Sequence, residues 1–216
     1  DIYDYEILVS KGDLIQRGSS LSKALANITF KKYIKDSSEY SLHTFIKNSE
    51  KSILVDGFVR YAKYKRTDVF RILNFNKEPV GLNVGGYMKS KDNTNCALFV
   101  RYNKPSEISD TINYEDKFLS PELFCHISKN SRNLKSPEVI LWTSQKKNKV
   151  RIPLFVKKSD DEGEAHYYIG DLTYIEGSAK EQKMSGESGK DVVNCSYKID
   201  EPVEGNLYTY LTSDMG

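Results

Sequence analysis

Two patterns of apolar residues divide the chain near Pro79. Before it, no proline interrupts Leu14 to Asn48, and apolar residues recur at helical spacing as Leu21, Leu25 and Ile28, then Phe30, Tyr33 and Ile34. This predicts a first helical segment capped by Ser19 or Ser20 and ended at the polar stretch Lys35-Asp-Ser-Ser38. A second helix is predicted over Ser41 to Lys47, and a third from Thr67 through Val69, Phe70, Ile72 and Leu73. Helices this short must hide their apolar stripes against one another or against another domain, so residues 1–78 read as a small helical bundle. After Pro79 the residue types change. Ala97–Tyr102, Val150–Val156, His166–Leu172 and Val192–Ile199 are rich in β-branched and aromatic residues and are bounded by Gly, Asp, Asn or Ser, the pattern of strands. One helix, about Ser136 to Ser144 with Ser136-Pro137 as cap and first turn, interrupts them, and the polar Ser178–Lys190 reads as an exposed loop or hairpin tip. The expected fold class is α+β: the helical region 1–78, then a curved, mostly antiparallel sheet over 79–216.

Composition sharpens this. Of 216 residues, 38% are hydrophobic and 12% aromatic, enough for a folded core. No apolar run approaches the ~20 residues of a membrane span, and no basic-then-apolar leader pattern is present, so a cytoplasmic setting without a membrane is expected. Cys96, Cys125 and Cys195 are odd in number and widely scattered, and are expected as free thiols. Net charge is only +2, but it is unevenly spread. Residues 126–158 hold nine lysines and arginines against the single acid Glu138, whereas 159–216 hold thirteen acids against four lysines. A positive face suited to phosphates follows, with Ser128, Lys129, Asn130, Arg132, Lys157 and Lys158 as contacts and Lys89, Lys91, Arg101 and Lys104 adding to it.

The aromatic and acidic residues between these charges suggest base recognition. Gly85-Gly86 frees the backbone just before Tyr87, and Tyr87, Tyr102 and Tyr114 are candidates to stack on a flipped base. Asp92, Glu115 and Asp116 are candidates to accept the exocyclic amino protons of cytosine. A competing reading takes Glu115-x-Lys117 with Asp92 as the Mg²⁺-binding end of a PD-(D/E)xK nuclease, although Ile112-Asn-Tyr-Glu-Asp116 is not the apolar strand that pattern needs. Cys125-His126 are too close in sequence to chelate one zinc, and no P-loop motif is present.

From about Asp56 to Ser213 the chain resembles the C-terminal domain of unknown function that follows the motor in many bacterial superfamily-two helicases. The likeness runs through Tyr64-Lys-Arg-Thr-Asp-Val69, Val84-Gly-Gly-Tyr87, Leu98-Phe-Val-Arg-Tyr102, Tyr114-Glu-Asp-Lys-Phe118, Ser128-Lys-Asn-Ser-Arg132 with Ser136-Pro-Glu-Val139, Leu154-Phe-Val-Lys-Lys-Ser-Asp160 and Tyr168-Ile-Gly170. Some such proteins are methylation-dependent (type IV) restriction enzymes. The resemblance implies a target-recognition fragment, not itself an enzyme, that binds double-stranded DNA carrying 5-methylcytosine or 5-hydroxymethylcytosine, with helicase and nuclease domains in the same polypeptide. It implies no cofactor here, ATP and Mg²⁺ belonging to those other domains. Gly85-Gly86-Tyr87, Asp92 and Phe99–Tyr102 are also similar in order to the base-flipping core of SRA domains, which implies an SRA- or PUA-like sheet or barrel. There Tyr87 matches the first stacking tyrosine and Asp92 the acid. The second aromatic falls on Arg101 or Tyr102, because Asn103-Lys-Pro105 replaces the SRA glycine-rich turn. A plain DNA- or protein-docking accessory domain of a helicase is the remaining alternative.

Overall fold

The computed structural model describes residues 5–50, 54–75, 86–102, 116–183 and 189–213. The chain opens with a hairpin, β1 (Leu8–Lys11) and β2 (Leu14–Arg17), followed by α1 (Ser19–Ala24) and α2 (Ile28–Glu50). A second hairpin, β3 (Leu54–Val55) and β4 (Phe58–Val59), turns at Asp56-Gly57, both of which have positive φ. Then come β5 (Lys63–Tyr64), α3 (Arg66–Ile72), β6 (Tyr87–Lys89), β7 (Cys96–Arg101), β8 (Lys117–Ser120) and β9 (Leu123–Ile127). The rest comprises α4 (Pro137–Thr143), α5 (Gln145–Asn148), β10 (Pro153–Lys157), β11 (His166–Tyr174), β12 (Lys180–Lys183), β13 (Asp191–Ile199) and α6 (Gly205–Thr212).

Nine strands form one sheet in the order β6-β7-β10-β11-β13-β9-β8, with β5 added on β11 and β12 on β13. Every pairing is antiparallel except β7 with β10, whose connection crosses over through β8, β9, α4 and α5. The α+β class and the curved, mostly antiparallel sheet are as the sequence predicts. The sheet is open: β6 and β8 are its two ends. Curvature enters at β11, which pairs with β10 over Tyr167–Asp171, with a register irregularity beside Gly170 at φ 148°, and with β13 over Leu172–Tyr174.

Strands β7 and β10 are apolar up to their last residues, Arg101 and Lys157, because both faces are covered. Cys96, Leu98, Val100, Leu154 and Val156 face a core that also holds Tyr87, Phe118, Phe124, Trp142 and Tyr197. The alternate residues Ala97, Phe99 and Phe155 face a second core with Phe58, Val69, Phe70 and Tyr168. The second core explains a departure from the expected helical bundle over 1–78. Helices do form there, but residues 54–75 lie against the sheet, with β5 joined to β11 and the α3 residues Val69 and Phe70 buried over Phe99. Tertiary burial, invisible to local pattern, drew them across Pro79.

The N-terminal helices are divided elsewhere than expected: Gly18 is the N-cap of α1, with Ser19 and Ser20 inside it, and no break falls at Lys35–Ser38. Asn27 caps α2, its Oδ1 accepting from the amides of Thr29 and Phe30, and the helix runs uninterrupted through Lys35–Ser38. Ser38 and Ser41 donate to the carbonyls of Ile34 and Ser37 at 2.7 Å, so these polar side chains bond within the helix instead of ending it. Helix α4 starts as expected, with Pro137 in its first turn, but buries Leu141 beside Val139 and Trp142 and leaves Ile140 exposed. Part of the expected loop at 178–190 is strand β12. All three cysteines are free and buried.

Candidate nucleic-acid interface

The curl brings the two open ends of the sheet together. Tyr87 on edge strand β6 lies 5.6 Å from His126 on β9 and 4.8 Å from Trp142 on α4, ring centroid to centroid, both edge to face. Tyr102, just past β7, stacks on Phe118 of β8 at 5.8 Å and 22°. The result is a seam lined by aromatic rings between strands that share no ladder.

Tyr87 is nearly buried, at 5% exposure, and its hydroxyl donates to Glu138 Oε1 at 2.8 Å. Burial first, and then the Glu138 carboxylate, push its pKa far above that of an ordinary phenol, so it remains a proton donor. Burial opposes ionisation of Glu138, but its own backbone amide and the Arg132 and Tyr87 hydrogen bonds outweigh that, and its pKa lies below the usual carboxylate value. Arg132 Nε donates to the same carboxylate oxygen, and the Arg132 amide is tied to Asp191 of β13 at 3.1 Å. The ammonium of half-buried Lys129 sits 4.6 Å from the Tyr87 ring centroid. Burial raises the Cys96 thiol to about 11, against the Trp142 hydrogen bond and the charges of Lys89 and Lys129. Tyr87 is thus part of the core wall, with Lys129 over its ring, and is not a projecting platform.

Asp116 enters the seam through His126. Its Oδ1 meets His126 Nδ1 at 2.6 Å and accepts from the Ile127 amide at 2.9 Å. His126 Nε2, on the other side of the ring, is buried with no hydrogen-bond partner among the described residues. Tyr87 and Asp116 thus both reach His126, and Tyr102 packs on Phe118 of the neighbouring strand. Asp92 serves elsewhere: its Oδ1 accepts from Ser90 Oγ, the Thr94 amide and Thr94 Oγ1 at 2.6, 3.1 and 2.8 Å, shaping the β6–β7 turn. Those bonds, Ser90 foremost, hold its pKa below the ordinary value. Tyr114, Glu115 and Lys104 lie outside the described residues.

The basic candidates do not form a single surface. Lys129, Asn130 and Arg132 flank the seam, and Lys89 and Lys91 lie at the β6–β7 turn, where Lys89 donates to Asn93 Oδ1 at 2.7 Å. Ser128 is buried and structural, its Oγ accepting from the Val193 amide at 2.8 Å in continuation of the β9–β13 ladder. Arg101 and Lys157 are register partners on parallel strands, alternate with the seam-facing residues, and belong with Phe99 and Phe155 on the opposite face. Both pair with Asp160. Lys158 donates to Ser213 Oγ at 2.9 Å and lies over the Tyr210 ring. Charge runs in sequence cannot distinguish the two faces of a strand.

His126, Glu138, Trp142 and Phe118 were not among the sequence candidates. The alternation in Leu123-Phe-Cys-His-Ile127 carried the signal for β9, but Cys125 and His126 drew attention only as metal ligands. Among the described residues no group of three or more His, Cys, Asp or Glu is placed to hold a metal ion.

A family model described as a domain of unknown function, DUF3427, matches residues 58–211. The chain belongs to this family. No curated protein matches the chain. Solved structures similar to this DUF3427 domain include the DNA modification-dependent restriction endonuclease AspBHI, at 14% identity and TM-score 0.46 over 74% of this chain and 83% of that one. Others are the SUVH5 SRA domain in a hemi-methylated CG DNA complex, at 12% and 0.43 over 70% and 98%, and the sulfur-binding and SRA domains of ScoMcrA complexed with phosphorothioated DNA, at 9% and 0.43 over 73% and 46%. Among the described residues no helix is long and apolar enough to cross a membrane.

Proposed function

We propose that this DUF3427 domain is a non-catalytic DNA-recognition module. It reads 5-methylcytosine or 5-hydroxymethylcytosine in double-stranded DNA by receiving the flipped base in the seam between β6 and β8–β9, as the target-recognition part of a modification-dependent restriction endonuclease. The observation that carries the reading is the Tyr87 ring with the Lys129 ammonium over it, beside the Asp116–His126 pair. A lysine over an aromatic ring is worth about 0.5–1 kcal/mol near the surface, whereas stacking of a base is worth about 1–3 kcal/mol. A base entering the seam therefore displaces Lys129 with a net gain and frees its ammonium for a backbone phosphate. Asp116 supplies an acceptor for the exocyclic amino group, which thymine lacks. Apolar contact with the methyl group is worth about 1–3 kcal/mol of discrimination.

The test is fluorescence anisotropy on paired duplexes that differ only in 5-methylation of cytosine, at two salt concentrations. Tighter binding of the methylated duplex at both salts, abolished by Asp116→Asn with background binding retained, is expected. Equal affinities that collapse together with salt would reduce the domain to a phosphate-binding accessory. A second reading, docking onto helicase and nuclease domains of the same polypeptide, is favoured by α2, which buries none of its residues and exposes Ile28, Tyr33, Tyr40 and Phe45. It predicts no binding of either duplex.

A further inference from the structure

Helix α2, the longest among the described residues, buries none of its 23 positions. Neither core takes a residue from it, and it lies outside the matched residues 58–211. At 3.6 residues per turn Phe30, Ile34, Ser37 and Ser41 fall on one line along the helix, flanked by Tyr33 and Tyr40 on one side and Phe45 on the other. The five large side chains of this stripe are between 38% and 73% exposed. Lys32, Lys35, Glu39 and His43 take the opposite side, where Lys35 and Glu39 pair with each other at 3.7 Å.

The stripe is complementary to itself. Turned through a two-fold axis across the helix, a second copy sets Phe30 against the partner's Ser41 and Ile34 against the partner's Ser37, large against small, and the symmetry repeats both contacts. Small residues in the middle let two helix axes approach to about 8 Å, the near end of the packing range. Ser41 Oγ already donates to the Ser37 carbonyl at 2.7 Å, so covering that hydroxyl strands no donor. Four lysines against three acids leave α2 at +1, too little to call for a nucleic-acid partner or to repel its own copy. An aromatic side chain encloses about 150–250 Å², so at these exposures the four rings and Ile34 offer about 500 Å² per helix. With the serines and the stem of Lys31 at the margin, this approaches the roughly 800 Å² per partner of a stable interface.

We propose that α2 is a dimerisation helix, pairing antiparallel with α2 of a second copy of this chain through Phe30, Tyr33, Ile34, Ser37, Tyr40 and Ser41. The pairing uses no residue of the seam and does not depend on what the seam reads.

Sedimentation velocity of the chain from about 1 µM to about 100 µM tests the proposal, a dimer fraction that grows with concentration being expected. Ile34→Glu is expected to weaken dimerisation at least about tenfold at unchanged Tm of the monomer, because the position is exposed and the fold does not use it. Lys32→Glu, on the opposite side, is expected to leave dimerisation unchanged. A monomer at every concentration would overturn the proposal and leave α2 to another domain of the polypeptide. A dimer that withstands Ile34→Glu, or that Lys32→Glu weakens equally, would overturn it too, since the contact then lies off the stripe. Direction is read by oxidising a mixture of Ile34→Cys and Ser37→Cys chains, the native thiols being buried. A mixed disulfide in excess over either variant linked to itself is expected, and the reverse preference would show parallel helices and refute the pairing.

Discussion

His166 opens β11 at 3% exposure, its ring 5.6 Å from Phe99, with Nδ1 3.0 Å from the Glu164 carbonyl oxygen. Burial chiefly, and then the charges of Arg66 and Lys157, lower its pKa from 6.5 to about 4. Above pH 6.5 the imidazole is neutral in both folded and unfolded chains and contributes no pH dependence. Between 6.5 and about 4 the unfolded chain binds a proton that the folded chain refuses, so stability falls as pH falls. At about 1.4 kcal/mol per pH unit the whole interval is worth about 3 kcal/mol, of which about 2 kcal/mol is gone by pH 5. The carboxylates with lowered pKa, Glu138, Asp160 and Glu162, act in a lower window, their contributions being lost only as pH drops below their ordinary values of 4.5, 3.8 and 4.5. Urea unfolding of wild type and His166→Phe at pH 7.5, 6.5, 5.5 and 5.0 isolates the effect. The variant keeps a ring against Phe99 and loses the bond to the Glu164 carbonyl, a pH-independent cost of about 1 kcal/mol. Its stability is expected to be nearly flat across this window while the wild type declines. An undiminished decline in His166→Phe would refute the assignment.

Two further substitutions address the core and the seam. Tyr87→Phe retains the ring among Trp142, His126 and Lys129 but removes the hydrogen bond to Glu138, which keeps Arg132; a loss of about 1–2 kcal/mol in urea unfolding is expected, and an unchanged midpoint would show that the bond contributes nothing. Arg151 bonds Asp171 Oδ2 at 2.7 Å and the carbonyls of Asp56 and Val55 at 2.8 and 3.2 Å, joining the β3–β4 hairpin to the sheet. Arg151→Met leaves Asp171 half-buried without its cation and is expected to cost about 3 kcal/mol, with Asp171→Asn in the same background recovering part of it; a cost below about 1 kcal/mol would mean that the hairpin is held by Phe58 alone.

Much of the sheet was legible because its strongest strands are apolar on both faces. Cys96–Arg101, Pro153–Lys157, His166–Tyr174 and Asp191–Ile199 all fall within a residue or a few of the segments read from composition. Strands β8 and β9 were missed since Lys117–Ser120 is short and Leu123–Ile127 carries a cysteine and a histidine that read as chemistry rather than as pattern. The places of the candidate residues in the fold were less legible. Tyr87 and Asp116 meet at His126, but Asp92 shapes a turn and Ser128 extends a ladder, uses of Asp and Ser that are indistinguishable in sequence from ligand binding.

Local sequence alone determined the α+β class, the positions of most strands, the Ser136-Pro137 helix start and the free state of the cysteines, because periodicity, capping and spacing act within a few residues. Tertiary structure alone decided the rest. Joining of residues 54–75 to the sheet, the approach of β6 to β9 that sets Tyr87 beside His126, and the division of the basic run between two faces all depend on contacts made tens of residues apart. Such contacts follow from which apolar surfaces find one another when the sheet curls, and that is a property of the assembled core, which no short stretch of chain carries.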